Sequence, residues 1–474
     1  MSGTSGVENT PSSTRALLVV LILAVFVSVL NSSMVNVVVP VIGEEYGVGE
    51  AQVGWVITGF LLAYAISIPL YGGISDFYSI RNVYVIGLLV FALGSLVCAL
   101  APSLQILVLG RVIQAVGGAA VPALGIVAIT KVLPPGERGG ALGLIVSSVG
   151  AGAAVGPIVG GVVEEFIGWH YLFIGSLALA LVLIPGAMRV LPNGGHEGEK
   201  NFDLTGGVLL GLAAGLFLFG ITQGQVEGFG HASSWGSFIG SAASGVGFFW
   251  RINSVERPFV SPELFANRAY VAAVLVGFFL MLANVASLVM VPLLISDVNG
   301  LSPGVAGLVL TPGAIALAIL SPMTGRLSDR IGVKKPILAG LAAMLASVVF
   351  LSTFGAGGSP YLVSAGMLGI GVGFAFANPP TVNAAANALA SGEDVGVGLG
   401  IFQGLFFLGG GTGPAVIGAF LAARREGDSQ AINPLYLLEA APFSDAFLMM
   451  AASLVVSLIA CSWLKDTAPK DANR

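Results

Sequence analysis

Gly72-Gly73-Ile74-Ser75-Asp76-Phe77-Tyr78-Ser79-Ile80-Arg81 returns later in the chain as Gly325-Arg326-Leu327-Ser328-Asp329-Arg330-Ile331-Gly332-Val333-Lys334. The second Asp lies 329 − 76 = 253 positions after the first. In each copy a Gly stands four positions before the Asp and a basic residue five positions after it. Each copy follows one apolar run and precedes another. A repeat on this scale implies two homologous halves.

Composition says what the halves are made of. The chain is 56% hydrophobic and 9% charged, with a mean hydropathy of +0.95. Soluble domains carry about 25% charged residues. Runs of roughly twenty apolar residues recur, each long enough to cross about 30 Å of hydrocarbon. The expected fold is therefore an all-α polytopic membrane protein. The net charge of −5 rests on few charges, and no basic patch supports nucleic-acid binding. Cys98 and Cys461 lie in apolar runs, and His170, His196 and His231 are scattered, so no disulfide, metal or cofactor site is expected. The first seventeen residues are polar, and no small-residue cleavage site follows the first apolar run. That run reads as a retained helix.

Apolar runs between polar breaks give fourteen candidate spans. They are 16–40, 53–74, 82–101, 104–129, 140–162, 170–190, 204–223, 234–251, 269–295, 304–324, 336–355, 360–388, 395–422 and 444–464. With the N-terminus cytoplasmic, every one of the 19 Lys and Arg residues falls inside except Arg111, Arg424 and Arg425. The positive-inside rule therefore places both termini in the cytoplasm. The division reads as a six-helix bundle over 1–192, a linker with an extra hairpin over 193–260, and a second six-helix bundle over 261–474. A re-entrant or peripheral pair is the other reading of 204–223 and 234–251.

The loop copies have a physical logic. Asp76 and Asp329 sit at cytoplasmic helix ends beside Arg81, Arg330 and Lys334, which are in position to pair with them and with exposed carbonyl ends. Gly72 and Gly325 admit a neighbouring helix at close range. Such a cluster can latch the halves together; a bare charged helix boundary that fixes topology is the simpler reading. Arg111 is the one charge clearly within a span, with Gln114 on the same helix face. An intramembrane Arg marks function by default, against a structural Arg bonded to backbone carbonyls. Asn31, Asn36, Asn284, Asn378, Asn383 and Gln403 are candidate substrate-lining groups, each equally able to serve as interhelical glue. Pro379-Pro380 is expected to interrupt the tenth helix and free carbonyls.

The twin loops resemble the signature of the major facilitator superfamily of secondary transporters. Leu30-Asn31-Ser32-Ser33-Met34-Val35-Asn36 resembles the first-helix motif of its fourteen-helix drug:proton antiporters. Phe202-Asp203-Leu204-Thr205-Gly206 resembles the entry to their extra hairpin, and the segment from Arg257-Pro258-Phe259 to Asn267-Arg268 resembles the approach to their second half. The likeness covers essentially the whole chain and is nearest to the tetracycline-exporter group. It implies export of drugs or antibiotics. It also implies a role in proton coupling for Arg111, and an exporter motif in Gly156-Pro157-Ile158-Val159-Gly160-Gly161.

One departure tempers that inference. No acid falls in the middle of a span: Asp76, Asp297, Asp329 and Asp445 all sit at helix ends. Many relatives carry Asp where Asn31 stands, and the tetracycline exporters carry membrane acids near Ser32, Ala153 and Gly410. The titratable groups left to carry a proton are Asp76, His170 and Asp445, since Arg stays charged. One Arg without a carboxylate favours neutral or anionic amphipathic substrates over cations. The expectation is a monomeric exporter in the cell membrane, working by alternating access and coupled to protons. The competing readings are an uncoupled facilitator or lipid or metabolite carrier, and a non-transporting sensor. No nucleophile–base pair or phosphate loop suggests an enzyme.

Overall fold

A computed structural model describes residues 11–193, 203–256, 258–301, 303–389, 395–426 and 430–464. His196, Lys200, Phe202, Arg257, Lys465, Lys470 and Arg474, used above for motif and charge arguments, lie outside the described residues. The described chain is helical throughout. Its long helices are α1 (Pro11–Tyr46), α2 (Trp55–Phe77), α3 (Ile80–Ala99), α4 (Leu104–Val132), α5 (Pro135–Ile167) and α6 (His170–Val190). Next come α7 (Leu204–Glu227) and α8 (Ala232–Ser254). The chain closes with α9 (Arg268–Asp297), α10 (Pro303–Ile331), α11 (Lys334–Phe350), α12 (Pro360–Leu389), α13 (Val395–Glu426) and α14 (Ala441–Cys461). A π-helical turn, Leu351–Gly355, extends α11.

Thirteen of these are long and apolar enough to cross a bilayer. The remaining one, α8, is as long as several of them, and its 23 residues reach about 34 Å at 1.5 Å per residue. Its serines explain its lower hydropathy. Ser234 Oγ donates to the Gly220 carbonyl at 2.7 Å and Ser241 Oγ to the Ala213 carbonyl at 2.7 Å. Those hydroxyls bind α8 to the backbone of α7, as small polar residues do between membrane helices.

The first six helices pack on one another, as do the last six, through glycines that bring backbones together. A Cβ on Gly94 would lie 2.5 Å from Gln114 Cα, joining α3 to α4. A Cβ on Gly340 would lie 2.5 Å from the Gly373 oxygen, joining α11 to α12. Between the two sets, α2 meets α13 and α5 meets α10. The α7–α8 hairpin lies against α2 and α13. Its base is tied by Asp203, which accepts from Gly206 N at 3.0 Å, Arg251 Nε at 2.7 Å and Phe259 N at 3.2 Å.

The prolines of α12 do not interrupt it, contrary to expectation: the helix runs unbroken from Pro360 to Leu389. Pro379 has no N–H to give to the Ala375 carbonyl, four residues back. Thr324 Oγ1 of α10 donates to that carbonyl at 2.5 Å instead. Thr381 Oγ1 adds a bond to the Ala377 carbonyl at 2.7 Å. The carbonyl that Pro379 frees thus has a donor from a neighbouring helix, and the helix continues through both prolines.

Candidate functional site

At one end of the bundle, here called the motif end, the two repeated acids reach across between the halves. Asp76 lies in the last turn of α2 and accepts the N–H of Gly396 at 3.0 Å and of Val397 at 2.8 Å. Those are opening amides of α13, which no helical carbonyl satisfies and which carry the positive end of the helix dipole. Lys131 Nζ, from the end of α4, adds a 3.3 Å contact to the same carboxylate. One turn before the acid, Gly72 allows the approach. A Cβ there would lie 2.5 Å from the Gly396 oxygen and 2.7 Å from Gly400 Cα.

The second copy repeats the device with the halves exchanged. Asp329, at the end of α10, accepts from Gly139 N and Gly140 N of α5, each at 2.9 Å. Gly325 sits directly on the carbonyl of Gly139, with no room for a Cβ. Asn383 Nδ2 donates to Asp329 at 3.2 Å and to Ser328 Oγ at 3.2 Å. Asn383 Nδ2 thus serves this contact, while its Oδ1 is buried without a partner among the described residues.

Of the two partners open to the motif's basic residues, acids and carbonyl ends, Arg81 and Lys334 take the carbonyl ends. Arg81 Nε donates to the Leu191 carbonyl at 2.8 Å, and Lys334 Nζ to the Ser462 carbonyl at 3.1 Å. Leu191 caps the C-terminus of α6 and Ser462 that of α14. Each basic residue opens the next helix and so lies nearest a helix end where carbonyls collect negative charge. The acid thus grips a helix start in the other half while the base grips a helix end in its own. Arg330 makes no hydrogen bond or ion pair to a described residue.

From these contacts the halves stay joined to mid-membrane. On the α2–α13 seam the ring of Tyr64 meets that of Phe407, centroids 5.5 Å apart. Tyr64 is twelve residues from Asp76, about 18 Å along the helix. On the α5–α10 seam Ser147 Oγ donates to the Ala318 carbonyl at 2.5 Å. Gly150 still faces Leu317 of α10, and further along α5 rests on α1: Gly152 faces Val29 and the Phe26 oxygen, Gly156 faces Ser33, and Gly160 faces Met34. Those glycines of the expected exporter motif act as packing positions. Gly161 has open space around it, and Pro157 is exposed.

Arg111 anchors a closed polar network in the first half. Its NH1 donates to Asn31 Oδ1 at 2.9 Å and to Gln114 Oε1 at 2.5 Å, and its Nε to the Val56 carbonyl at 3.3 Å. Asn31 Nδ2 passes on to Ser176 Oγ at 2.8 Å, and Gln114 Nε2 to Ser95 Oγ at 2.7 Å. The guanidinium also lies over Phe60, 4.1 Å from the ring centroid, a cation–π contact. Arg111 is 1% exposed, and Asn31 and Gln114 are fully buried. No carboxylate of the described residues reaches it. These three residues join α1, α2, α3, α4 and α6 and do not line open space, whereas Asn36 is exposed on α1.

The second half presents its polar groups differently. Asn284 on α9, Asn378 on α12 and Gln403 on α13 make no hydrogen bond to a described residue, and Asn378 Oδ1 is buried without a partner. Between the two sets runs a chain of rings that the sequence reading missed. Phe60 and Tyr64 are 5.6 Å apart, Phe406 and Phe407 5.7 Å, and Phe374 and Phe406 6.5 Å. With the Tyr64–Phe407 pair they connect Arg111 to α12. The spacing of Phe60 and Tyr64, and of Phe402 and Phe406, was the available signal.

At the far end, the two arginines that broke the charge rule are neutralised. Arg424 pairs with Asp445, whose other oxygen accepts Ile432 N at 2.7 Å. Arg425 pairs with Asp297 at 2.6 Å. Tyr436, in the strap between α13 and α14, donates to the Ala356 carbonyl at 2.9 Å, and burial raises its phenol above the usual range. His170 stacks on Trp169 at 3.7 Å.

Two sets of six membrane helices, each reaching across to the other through a repeated acid at one end, define a membrane transporter. The sequence profile of the Major Facilitator Superfamily matches residues 21–255 and 273–474, and the chain belongs to that superfamily. It is 30% identical over 406 residues to the multidrug resistance protein Stp of Mycobacterium tuberculosis, covering 85% of this chain and 74% of that protein. It is 28% identical over 428 residues to the tetracenomycin C resistance and export protein of Streptomyces glaucescens, covering 89% and 79%. The riboflavin transporter RibZ of Clostridioides difficile is 27% identical over 368 residues, covering 76% and 78%. Among solved structures, the human organic anion transporter MFSD10 (TETRAN) matches with a TM-score of 0.67 at 15% identity, covering 95% of this chain and 100% of that one. That likeness speaks to the fold.

Proposed function

We propose that this transporter exports neutral or anionic amphipathic small molecules across the cell membrane, as a monomer, by alternating access. The bodies that move are the six-helix halves 1–192 and 261–474, with 193–260 as a peripheral insert. The observation that carries the reading is the pair of reciprocal contacts, Asp76 on α13 and Asp329 on α5. Both lie at one end, and each clasps the opposite half. We take that end as cytoplasmic, so the structure is latched inside and open outside. Asn284, Asn378 and Gln403, beside the ring chain from Phe60 to Phe374, receive the substrate. Arg111, Asn31 and Gln114 hold the first half together around it. The export direction is supported by the names of two of the relatives, a multidrug resistance protein and an antibiotic export protein.

We further propose that protons drive the cycle through the latch. Protonation of Asp76 removes the charge that holds the two α13 amides, and the latch opens inward. The proton leaves to the cytoplasm before the next substrate binds. Asp445 is committed to Arg424, and both it and His170 lie at the far end, away from the latch, which leaves Asp76 as the carrier of choice. Because no described acid lies in mid-span, an uncoupled carrier is the second reading. Vesicles loaded with an amphipathic dye decide between them. Efflux that stops when the pH gradient is discharged at constant membrane potential supports coupling. Efflux that continues unchanged refutes it.

A further inference from the structure

Beside the second latch lies a pocket of about 330 Å³ that the transport reading does not use. Both halves build it: Thr14 and Leu18 from α1, Glu137 and Leu144 from α5, Arg326 and Arg330 from α10. The two arginines are a helical turn apart on one face of α10. Both are exposed, and neither has an ion pair or hydrogen bond among the described residues. Asp329, also at the wall, has its oxygens engaged by Gly139 and Gly140. Glu137 is the one facing acid without a partner.

The occupant is indicated by what continues from the arginines. Ile319, Met323, Arg326 and Arg330 follow at spacings of four, three and four, which is a single stripe along α10. Ile319 is 61% exposed and Met323 60%. In a membrane helix, such a stripe faces acyl chains and its last turn reaches the headgroup layer. Two unpaired guanidiniums above an apolar stripe match a phosphodiester above an acyl chain, because the guanidinium fork fits phosphate oxygens.

We propose that this pocket binds an anionic phospholipid, its phosphate held by Arg326 and Arg330 and its chain lying along Met323 and Ile319. Glu137 accepts a hydroxyl of the headgroup, as a glycerol headgroup offers. Since walls from both halves close the pocket only when α5 and α10 are latched, a bound lipid favours the latched state. That consequence rests on the latch reading, while lipid binding itself does not.

The test uses the full chain in detergent, with phosphatidylglycerol, phosphatidylcholine and inorganic phosphate as separate probes. Native mass spectrometry is expected to show phosphatidylglycerol retained about tenfold over phosphatidylcholine. The paired change Arg326→Gln with Arg330→Gln, at exposed sites, is expected to erase the difference. Hydrogen exchange at Gly139 and Gly140 is expected to slow with phosphatidylglycerol in the wild type alone. Equal retention of the two lipids, or preference surviving the double change, overturns the site. Equal slowing by inorganic phosphate overturns the lipid in favour of a free anion. Retention without slowed exchange leaves the lipid site and sinks its link to the latch.

Discussion

The two latches are built to one plan from different third parts. In both, an Asp accepts two amides from a helix start in the opposite half, a Gly one turn earlier lets the helices touch, and a basic residue caps a helix end. They part company at the remaining donor. Asp76 takes an ammonium from Lys131, whose side chain is 34% exposed. Asp329 takes the neutral amide of Asn383, which is 1% exposed. The turns differ as well. Gly332 takes φ +84° after the second acid, a conformation that favours glycine, whereas Tyr78 and Ser79 after the first are extended or near it. Duplication has kept what the latch needs, an acceptor and a close approach, and let the third ligand drift. The first latch is in part an ion pair; the second takes its third donor from a buried neutral amide.

The largest effects test the shared part. Gly325→Val is expected to abolish transport, because even a Cβ collides with the Gly139 carbonyl and backbone cannot yield as a side chain can. Gly72→Val is expected to cost as much or slightly less, since Gly396 and Gly400 stand somewhat further off. Vesicle efflux normalised to folded protein measures both. If either variant transports normally, its latch does not close in the working cycle. Asp76→Asn and Asp329→Asn come next. Each removes charge from amide bonds that are worth about 1.5–3 kcal/mol apiece when charge-assisted, so roughly a tenfold or greater fall in efflux is expected. Equal losses would support a common function. A loss confined to Asp76→Asn would mark the first latch as the proton-linked one.

The scaffold was legible because lipid imposes it. Satisfying every backbone group within an apolar run leaves helices, and charge asymmetry and the repeat divided them. The acids and glycines that meet the opposite half stood out in the sequence because their pattern is duplicated. Partners were not legible. Nothing local tells that Arg81 reaches the end of α6, or that Asp76 reaches a helix start more than three hundred residues away. The Asp329 contact of Asn383 was not legible either, because a polar residue in an apolar helix looks the same whether it meets substrate or a carboxylate. Arg111 was found by its charge, but its closure by Asn31 and Gln114 is a matter of packing among five helices. The double proline misled because the compensating Thr324 lies on another helix.

The smallest effects separate the two latches. Asn383→Ala leaves Asp329 and Ser328 short of a buried donor, a loss of about 1–3 kcal/mol. Its effect on efflux is expected to be severalfold and indifferent to salt. Lys131→Gln removes an exposed ion pair, worth about 0–1 kcal/mol, while the two α13 amides stay on Asp76. Efflux is expected to fall less than about fivefold, and the deficit to vanish as salt rises, because screening already weakens the wild-type pair. Measuring both variants in vesicles at low and at high ionic strength sets the signs. A salt-dependent deficit in Asn383→Ala, or a salt-independent one in Lys131→Gln, would erase the distinction. The two latches would then be copies in energy as well as in plan.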